Sequence, residues 1–316
     1  CRINPGDVFS VGKLLGKTPM HFRLGNKFQS FTKVLSESST TLRRLQLDQL
    51  VRLVKFAQHE VLFYRDNYKN DDRTLNSVES FEDLLTIPVF NKSDFQRYSL
   101  KDRSVPRFAL KKSNTGGTTG QPLDFYIEKS AYAREWAHMH AIWATLGYRY
   151  TDEKLTIRGK NIGNRFFKYN FNQNEFLINA YAPLEDNIDA CRQLITKRNI
   201  KWIHGYPSSI YSFLLELESV DPVLFELLIN KVQGVFLGSE YPAPQYRNYI
   251  ERHCGLKSIS WYGHSEMAVL APEREPGSGV YYPFHSYGYA EAVKDGDSYR
   301  LVATSLHNFA SPFIRY

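Results

Sequence analysis

Between residues 122 and 266 short strand-like runs alternate with longer helical stretches, and that alternation admits few folds. "PLDFYIE", "KLTIRG", "EFLINAY", "KWIHGY", "KVQGVFLGS" and "SISWYGHSE" have strand length and composition. Between them, 129–148 predicts a long helix closed by Gly147, 186–199 a second, and 207–218 a third with Pro207 in its first turn. A fourth, 242–255, ends at Gly255. The order predicts an α/β fold of sheets flanked by helices. Downstream, "YGYAEAV" and "SYRLVATSL" around "KDGD" read as a hairpin, an appended β element. Upstream the pattern is helical. Residues 40–68 place Leu42, Leu45, Leu50, Leu53, Val54, Val61 and Leu62 at mostly helical spacing, and 80–98 reads as two short helices around a proline break.

With 316 residues, 42% hydrophobic, the chain can bury one large core or two smaller ones. Cys1, Cys191 and Cys254 show no ligand-like spacing, which favours unpaired thiols in a reducing, cytoplasmic setting. No apolar run reaches the ~18 residues of a membrane span, and no signal-peptide pattern is visible. The chain starts at Cys1 rather than methionine, which leaves a trimmed start open. Residues 1–112 carry 20 Lys and Arg against 12 acids, and 113–316 carry 20 against 21. The first third is therefore read as a basic helical segment packed on the larger α/β region at 113–316. Its excess charge suits a solvated face, or weak association with an anionic membrane surface. The aromatic residues read as core rather than a base-stacking platform, so nucleic acid is not the expected partner.

"SNTGGTTGQP" (113–122) puts three glycines and three threonines between two strands. Bare backbone N–H groups flanked by hydroxyls make a phosphate cradle. The sequence is neither a Walker loop nor GxGxxG at a helix mouth. Taken alone, it fits an ordinary strand connection equally well.

Other segments bear on that choice. "TGGTTGQP" resembles the phosphate loop of adenylate-forming enzymes, and "WYGHSE" (261–266) resembles their YGxTE motif. "GSEY" (238–241) is similar to the GEP segment of the phenylacetate–CoA ligase branch, and "SPFIRY" (311–316) to the start of its PxIRYRTGD motif. "VLFYRDNY" and "DLLTIPVFNKSDF" resemble its PFYR and LPxxTKxDL segments, and "IHGYPSSIYSFL" the GYPS helix of CapK-like relatives. The resemblance runs from about residue 50 to the end, with the motifs in order.

What the resemblance implies is ATP-dependent acid activation: RCOO⁻ and MgATP give an acyl adenylate and pyrophosphate. The acyl group then passes to CoA or to a sugar amine or hydroxyl, on a lipid-linked acceptor for instance, in surface-polysaccharide assembly. On this reading Thr115, Gly116, Gly117, Thr118, Thr119 and Gly120 wrap the ATP phosphates. Gln121 replaces a lysine frequent in the family, so some charge neutralisation must come from elsewhere. Glu266 holds Mg²⁺, Ser265 lies near the α-phosphate, and Tyr262 and Gly263 with Gly238, Ser239 and Glu240 flank the adenine. Arg315 sits near phosphate or ribose, and Glu266, Thr118 and Arg315 form the catalytic set. His204, Tyr206 and His264 are acid-pocket candidates; for His264 a structural role is equally open. Trp136, His140 and Trp143 share a helical face that reads as core. No structural zinc is expected, because "LAPEREPGSGVYYPFHSYGY" has no cysteine and Tyr281 stands where relatives place a histidine.

The family continues beyond "IRY" with a ribose-binding Asp and a C-terminal lid that carries a lysine. Neither lies within residues 1–316, so this chain by itself is expected to bind ATP weakly and turn over slowly. The competing reading is a nucleotide-binding scaffold that has lost catalysis and acts through its basic N-terminal face.

Overall fold

The computed structural model describes residues 14–68, 78–115, 122–159 and 162–316. The first third is helical. Short helices α1 (Met20–Leu24) and α2 (Asn26–Val34) precede α3 (Ser39–Glu60) and α4 (Leu62–Tyr68). Ser38 caps α3 by accepting from the Thr41 N–H, and Leu50, Leu53, Val54 and Ala57 form its buried stripe. The helix expected over 40–68 is broken at Val61. Its backbone is extended (φ −116°, ψ 115°), and the amide of Phe63, two residues on, bonds to the Asp102 carbonyl at 2.9 Å. Helices α5 (Phe81–Leu84) and α6 (Lys92–Gln96) each start in a capping box, Ser80 with Asp83 and Asn91 with Asp94.

Strands β1 (Ala109–Asn114) and β2 (Asp124–Glu128) form an antiparallel hairpin. Helix α7 (Ala131–Ala144) follows, then β3 (Glu153–Ile157), β4 (Phe167–Asn170) and β5 (Glu175–Ile178). Next come α8 (Ile188–Lys197), β6 (Ile200–Gly205), α9 (Pro207–Val220), α10 (Pro222–Lys231) and β7 (Gly234–Leu237). Helix α11 (Pro244–Asn248) is continued by a wider π turn, Tyr249–His253, where one regular helix was expected. The chain then runs through β8 (Ser258–Gly263), β9 (Leu270–Pro272) and the hairpin β10 (Tyr289–Asp295)–β11 (Ser298–Thr304). In that hairpin Asp295 pairs with Ser298, so the turn is Gly296–Asp297, with Gly296 at φ 60°.

Two interleaved compact units result, and neither coincides with a division at residue 112. One comprises residues 1–29, 139–262 and 272–281; the other comprises 30–138, 263–271 and 282–316. The first holds a sheet in the order β4-β5-β3-β6-β7-β8. All neighbours in it are parallel except β4 and β5. Parallel strands buried on both faces read as continuous apolar runs. On one face Ile157, Ile178, Ile203, Val235 and Leu237 pack with Leu194, Ile210, Leu214 and Leu228 from α8, α9 and α10. On the other, Phe236 stacks between Trp143 (4.9 Å) and Trp202 (5.1 Å). The second unit closes around Leu53, Phe63, Tyr64, Phe95, Phe125 and Phe313. The "SPFIRY" tail belongs to that core: the Tyr64 hydroxyl donates to the Pro312 carbonyl at 2.9 Å and accepts from the Ile314 amide at 3.0 Å.

Cys191 and Cys254 are buried thiols, pushed up to about 12 chiefly by burial. No described helix is long and apolar enough to cross a membrane.

Candidate active site

In a parallel sheet the carboxyl ends of the strands point one way, and ligands collect at that edge. In the first unit three predicted segments meet there. Gly205 ends β6, and the Gly238 amide, just past β7, donates to its carbonyl at 3.0 Å. Tyr262 lies at the same end of β8, whose Ser260 pairs with Leu237 of β7. Glycine is required at two of these positions by contact. A Cβ at Gly205 would collide with the Ile157 carbonyl, and one at Gly238 with the Trp261 indole. Ser239 and Glu240 are exposed, and Ser239 takes a left-handed backbone (φ 67°). Glu240 accepts from both the amide (3.2 Å) and the hydroxyl (2.7 Å) of Ser208, which ties the turn to the first turn of α9. Tyr262 is 45% exposed.

The acid-pocket candidates on this edge separate. Tyr206 is half-buried at the N-cap of α9. His204 is only 5% exposed, among Trp143 (5.1 Å) and Trp261 (5.9 Å). Burial, with Arg158 and Lys154 nearby, pulls its pKa down to about 3. It is a neutral ring in an aromatic core. The core reading of the α7 face holds for Trp143, which is fully buried, whereas Trp136 and His140 are half-buried.

The second unit begins at Gly263 and carries the rest of the motif. Glu266 is 8% exposed. His264 Nδ1 lies 3.2 Å from its Oε2, and the Tyr316 hydroxyl donates to its Oε1 at 3.3 Å. Burial pushes the Glu266 carboxyl up, but the His264 imidazole close to it, with help from Tyr316, outweighs it and holds the pKa below the usual carboxylate range. Ser265 is exposed beside it, and Met267 has a left-handed backbone (φ 55°). His264 therefore enters the site as a partner of Glu266.

Thr115, at the end of β1, exchanges bonds with Leu123: its amide donates to the Leu123 carbonyl and its hydroxyl accepts from the Leu123 amide, both at 3.0 Å. The remaining loop positions, Gly116, Gly117, Thr118, Thr119, Gly120 and Gln121, lie outside the described residues. Arg315 is placed differently from the expectation of a phosphate or ribose ligand. It is 6% exposed, pairs with Glu291 (3.0 and 3.2 Å), and donates to the carbonyls of Leu85 (2.8 Å) and Ile87. Its donors clamp the chain around residues 85–87 to the β10 hairpin, because a buried guanidinium must find acceptors wherever the fold offers them.

Among the described residues no group of three or more His, Cys, Asp and Glu could hold a metal ion. A single ionised carboxylate nevertheless fits magnesium, which takes most of its ligands from water and substrate phosphates.

Pattern reading passed over several buried charged groups. Glu273, in the first unit, accepts from Arg247 in two bonds (2.7 and 2.9 Å) and from the amides of Ser260 and Gly279, both at 3.0 Å. Lys154 and Glu175 face each other across β3 and β5 at 3.7 Å. Arg134 and Tyr287 are buried in the second unit. Each joins residues distant in sequence, so no local signal announces it.

No protein-family model matches the chain. It is 20% identical over 300 residues to Protein CapK of Staphylococcus aureus, spanning 91% of this chain and 66% of that protein. It is 24% identical over 295 residues to phenylacetate–coenzyme A ligase of Pseudomonas putida, spanning 88% and 66%. The chain thus covers about two thirds of the length of these curated relatives. Among solved structures, 2-hydroxyisobutyryl-CoA ligase with 2-HIB-AMP and CoA in its thioesterification state matches with a TM-score of 0.67 at 18% identity, covering 89% of this chain and 63% of that one. Its open conformation matches with a TM-score of 0.63 at 19% identity, covering 85% and 66%. These likenesses establish the fold.

Proposed function

Because the chain is phenylacetate–CoA ligase-like and belongs to the adenylate-forming superfamily, we propose that it serves ATP-dependent activation of a carboxylic acid. A carboxylate oxygen of the acid attacks the α-phosphorus of ATP. The bond from that phosphorus to the bridging oxygen breaks, and pyrophosphate leaves with the electron pair. The mixed anhydride then yields its acyl carbon to the thiol of CoA, releasing AMP. The Pseudomonas relative is a CoA ligase by name, and the solved neighbour holds an acyl adenylate together with CoA.

One observation carries this reading: Gly205–Tyr206, Gly238–Glu240 and Tyr262 meet at one carboxyl edge of parallel strands. There the adenine stacks on Tyr262, and the 238–240 turn borders it. Glu266, ionised and anchored, is the carboxylate offered to magnesium, which when bound would offset charge on the phosphates. Ser265 and the 115–120 segment are the groups that the motif resemblance assigns to the phosphates. Catalysis is then a matter of positioning and charge stabilisation. Arg315 contributes by holding the tail from which Tyr316 reaches Glu266.

A sugar amine or hydroxyl in place of the CoA thiol, within surface-polysaccharide assembly, is a second acceptor class. It is supported by the likeness to CapK and the "HGYPSS" segment.

The test is acid-dependent exchange of labelled pyrophosphate into ATP across a panel of carboxylic acids. Exchange that requires magnesium and disappears in Glu266→Gln is the expected result. No exchange with any acid, together with no AMP binding by calorimetry, overturns the reading.

A further inference from the structure

The second unit contains a buried cation, Arg134, that forms no ion pair among the described residues, although the Glu135 carboxylate next to it acts on it through space. Arg134, on the first half of α7, has no exposed surface. Among the described residues its Nε and Nη1 have no hydrogen-bond partner. Its Nη2 meets the Met267 sulfur at 3.9 Å. The guanidinium lies 5.1 Å from the centre of the Tyr287 ring. The nearest carboxylate in sequence, Glu135, instead accepts a short hydrogen bond from the Tyr287 hydroxyl.

A guanidinium keeps its charge in proteins and presents a planar fork of donors matched to an oxyanion. A thioether is a weak acceptor and an inadequate substitute. Buried polar groups in folded proteins are otherwise paired almost without exception, and an unpaired one calls for an explanation.

The cover on this cation is itself unusual. Met267 is half-buried, takes the left-handed backbone that non-glycine residues seldom adopt, and follows Glu266 directly. Its side chain is unbranched and adaptable, the kind that re-packs when something else fills its place.

We propose that Arg134 is the receptor for a second anionic group on the acid substrate, a distal carboxylate or comparable oxyanion, admitted when the Met267 side chain turns aside. The inference rests on the acid-activating reading and makes it more specific: the acid is dianionic, one carboxylate being activated beside Glu266 and the other held by the Arg134 fork. The half-buried Glu135 carboxylate, taken up by the Tyr287 hydroxyl, borders this site and disfavours a bulky polyanion, while a single oxyanion finds the open donors of Arg134.

The experiment is thermal unfolding of the full chain, without ATP, in succinate, glutarate or phthalate and in the matched monoacids butyrate and benzoate. Dicarboxylates are expected to raise the Tm of the wild type and not that of Arg134→Gln, with monoacids silent in both. Arg134→Lys, which keeps the charge but loses the fork, is expected to retain part of the shift, and circular dichroism checks that both variants fold.

Equal stabilisation of wild type and Arg134→Gln by dicarboxylates, or equal stabilisation by monoacids, overturns the proposal. Pyrophosphate exchange with the same acids separates the two readings. If dicarboxylates stabilise through Arg134 but no acid supports exchange, the site stands and the activation reading falls. If monoacids and diacids exchange alike and Arg134→Gln does not change their ratio, activation stands and the site falls. Where both hold, the KM for a diacid rises roughly 10- to 100-fold in Arg134→Gln while that for a monoacid stays put.

Discussion

The imidazole Nδ1 of His264 stands 3.2 Å from a carboxylate oxygen of Glu266. That contact keeps a carboxylate that is 8% exposed in its charged form against the penalty of burial. Removing the charge with Glu266→Gln is expected to lower the exchange rate by about 10²–10³, the range for deleting one electrostatic stabiliser of a transition state. His264→Phe is expected to act through pH. The wild-type Glu266 pKa is depressed, so activity persists below the ordinary carboxylate range and falls only as pH drops through the depressed value. Without His264 that acid limb moves to higher pH. A pH–rate profile in which the limb stays put rules out the coupling.

At the other motif the constraint is steric. Alanine at Gly238 would drive a methyl group into the Trp261 indole, next to Tyr262. Gly238→Ala is therefore expected to weaken AMP binding by about tenfold or more, since overpacking commonly costs about 1–3 kcal/mol. Ser239→Gly should do the reverse for stability. The left-handed backbone at φ 67° is strained for serine, and glycine relieves about 1 kcal/mol of it. Calorimetric AMP titration and thermal melts of both variants read this out; a Ser239→Gly variant that melts lower contradicts the strain argument.

How much of this was legible depends on whether the signal is local. The β-α alternation was, because burial on both faces leaves continuous apolar runs such as "KWIHGY", and Pro207 marks a helix start. Helix α10 carried the same kind of mark, Asp221 capping through the Leu224 amide at 3.0 Å with Pro222 in the first turn, and was passed over. Strand β1, "ALKKSN", was legible only as the strand leading into the glycine loop, because it offers no alternation of apolar residues of its own. That His204 lies beside two tryptophans from other elements is not written in its own segment. Periodicity shows which face a helix buries, and α7 does bury Trp143, but it cannot show that Arg134 on the same helix meets Met267 more than a hundred residues away. Convergence of distant side chains is a property of the assembled core.

The Arg247–Glu273 pair fixes the β8 edge, since Glu273 also accepts from the Ser260 amide at 3.0 Å. Arg247→Met strips the cation from a carboxylate whose side chain is 0% exposed. Breaking such a pair from one side costs about 3–5 kcal/mol. The expected outcome is a clear drop in Tm and in the urea midpoint. The double variant Arg247→Met/Glu273→Leu should recover part of that loss, because no unpaired charge remains. If the double variant is no more stable than the single one, desolvation of the orphaned carboxylate is not the cause.

The Lys154–Glu175 pair gives the sharpest pH test. Lys154 Nζ lies 3.7 Å from Glu175 Oε2, which also accepts from the Thr156 hydroxyl at 2.7 Å, while Asn170 donates to Oε1 at 2.8 Å. Burial pushes the Glu175 carboxyl up, but Lys154, His204, Thr156 and Asn170 together hold it down at about 2. Burial is also the main cause that brings Lys154 down, to about 8. A carboxyl depressed in the fold adds stability above its unfolded value, near 4.3, and that stability is lost as pH falls toward 2. Glu175→Gln should therefore cost most near pH 6 to 7, where Lys154 is left charged and unpaired in the core, on the order of 3–5 kcal/mol. The cost should shrink below pH 4, because the wild type protonates Glu175 as it unfolds. It should shrink again as pH rises toward 8, because without Glu175 the Lys154 pKa falls below its paired value and the variant buries the amine neutral before the wild type does. Urea unfolding of both proteins from pH 3 to 10 measures the gap, and a difference that stays flat across that range refutes the charge-based account.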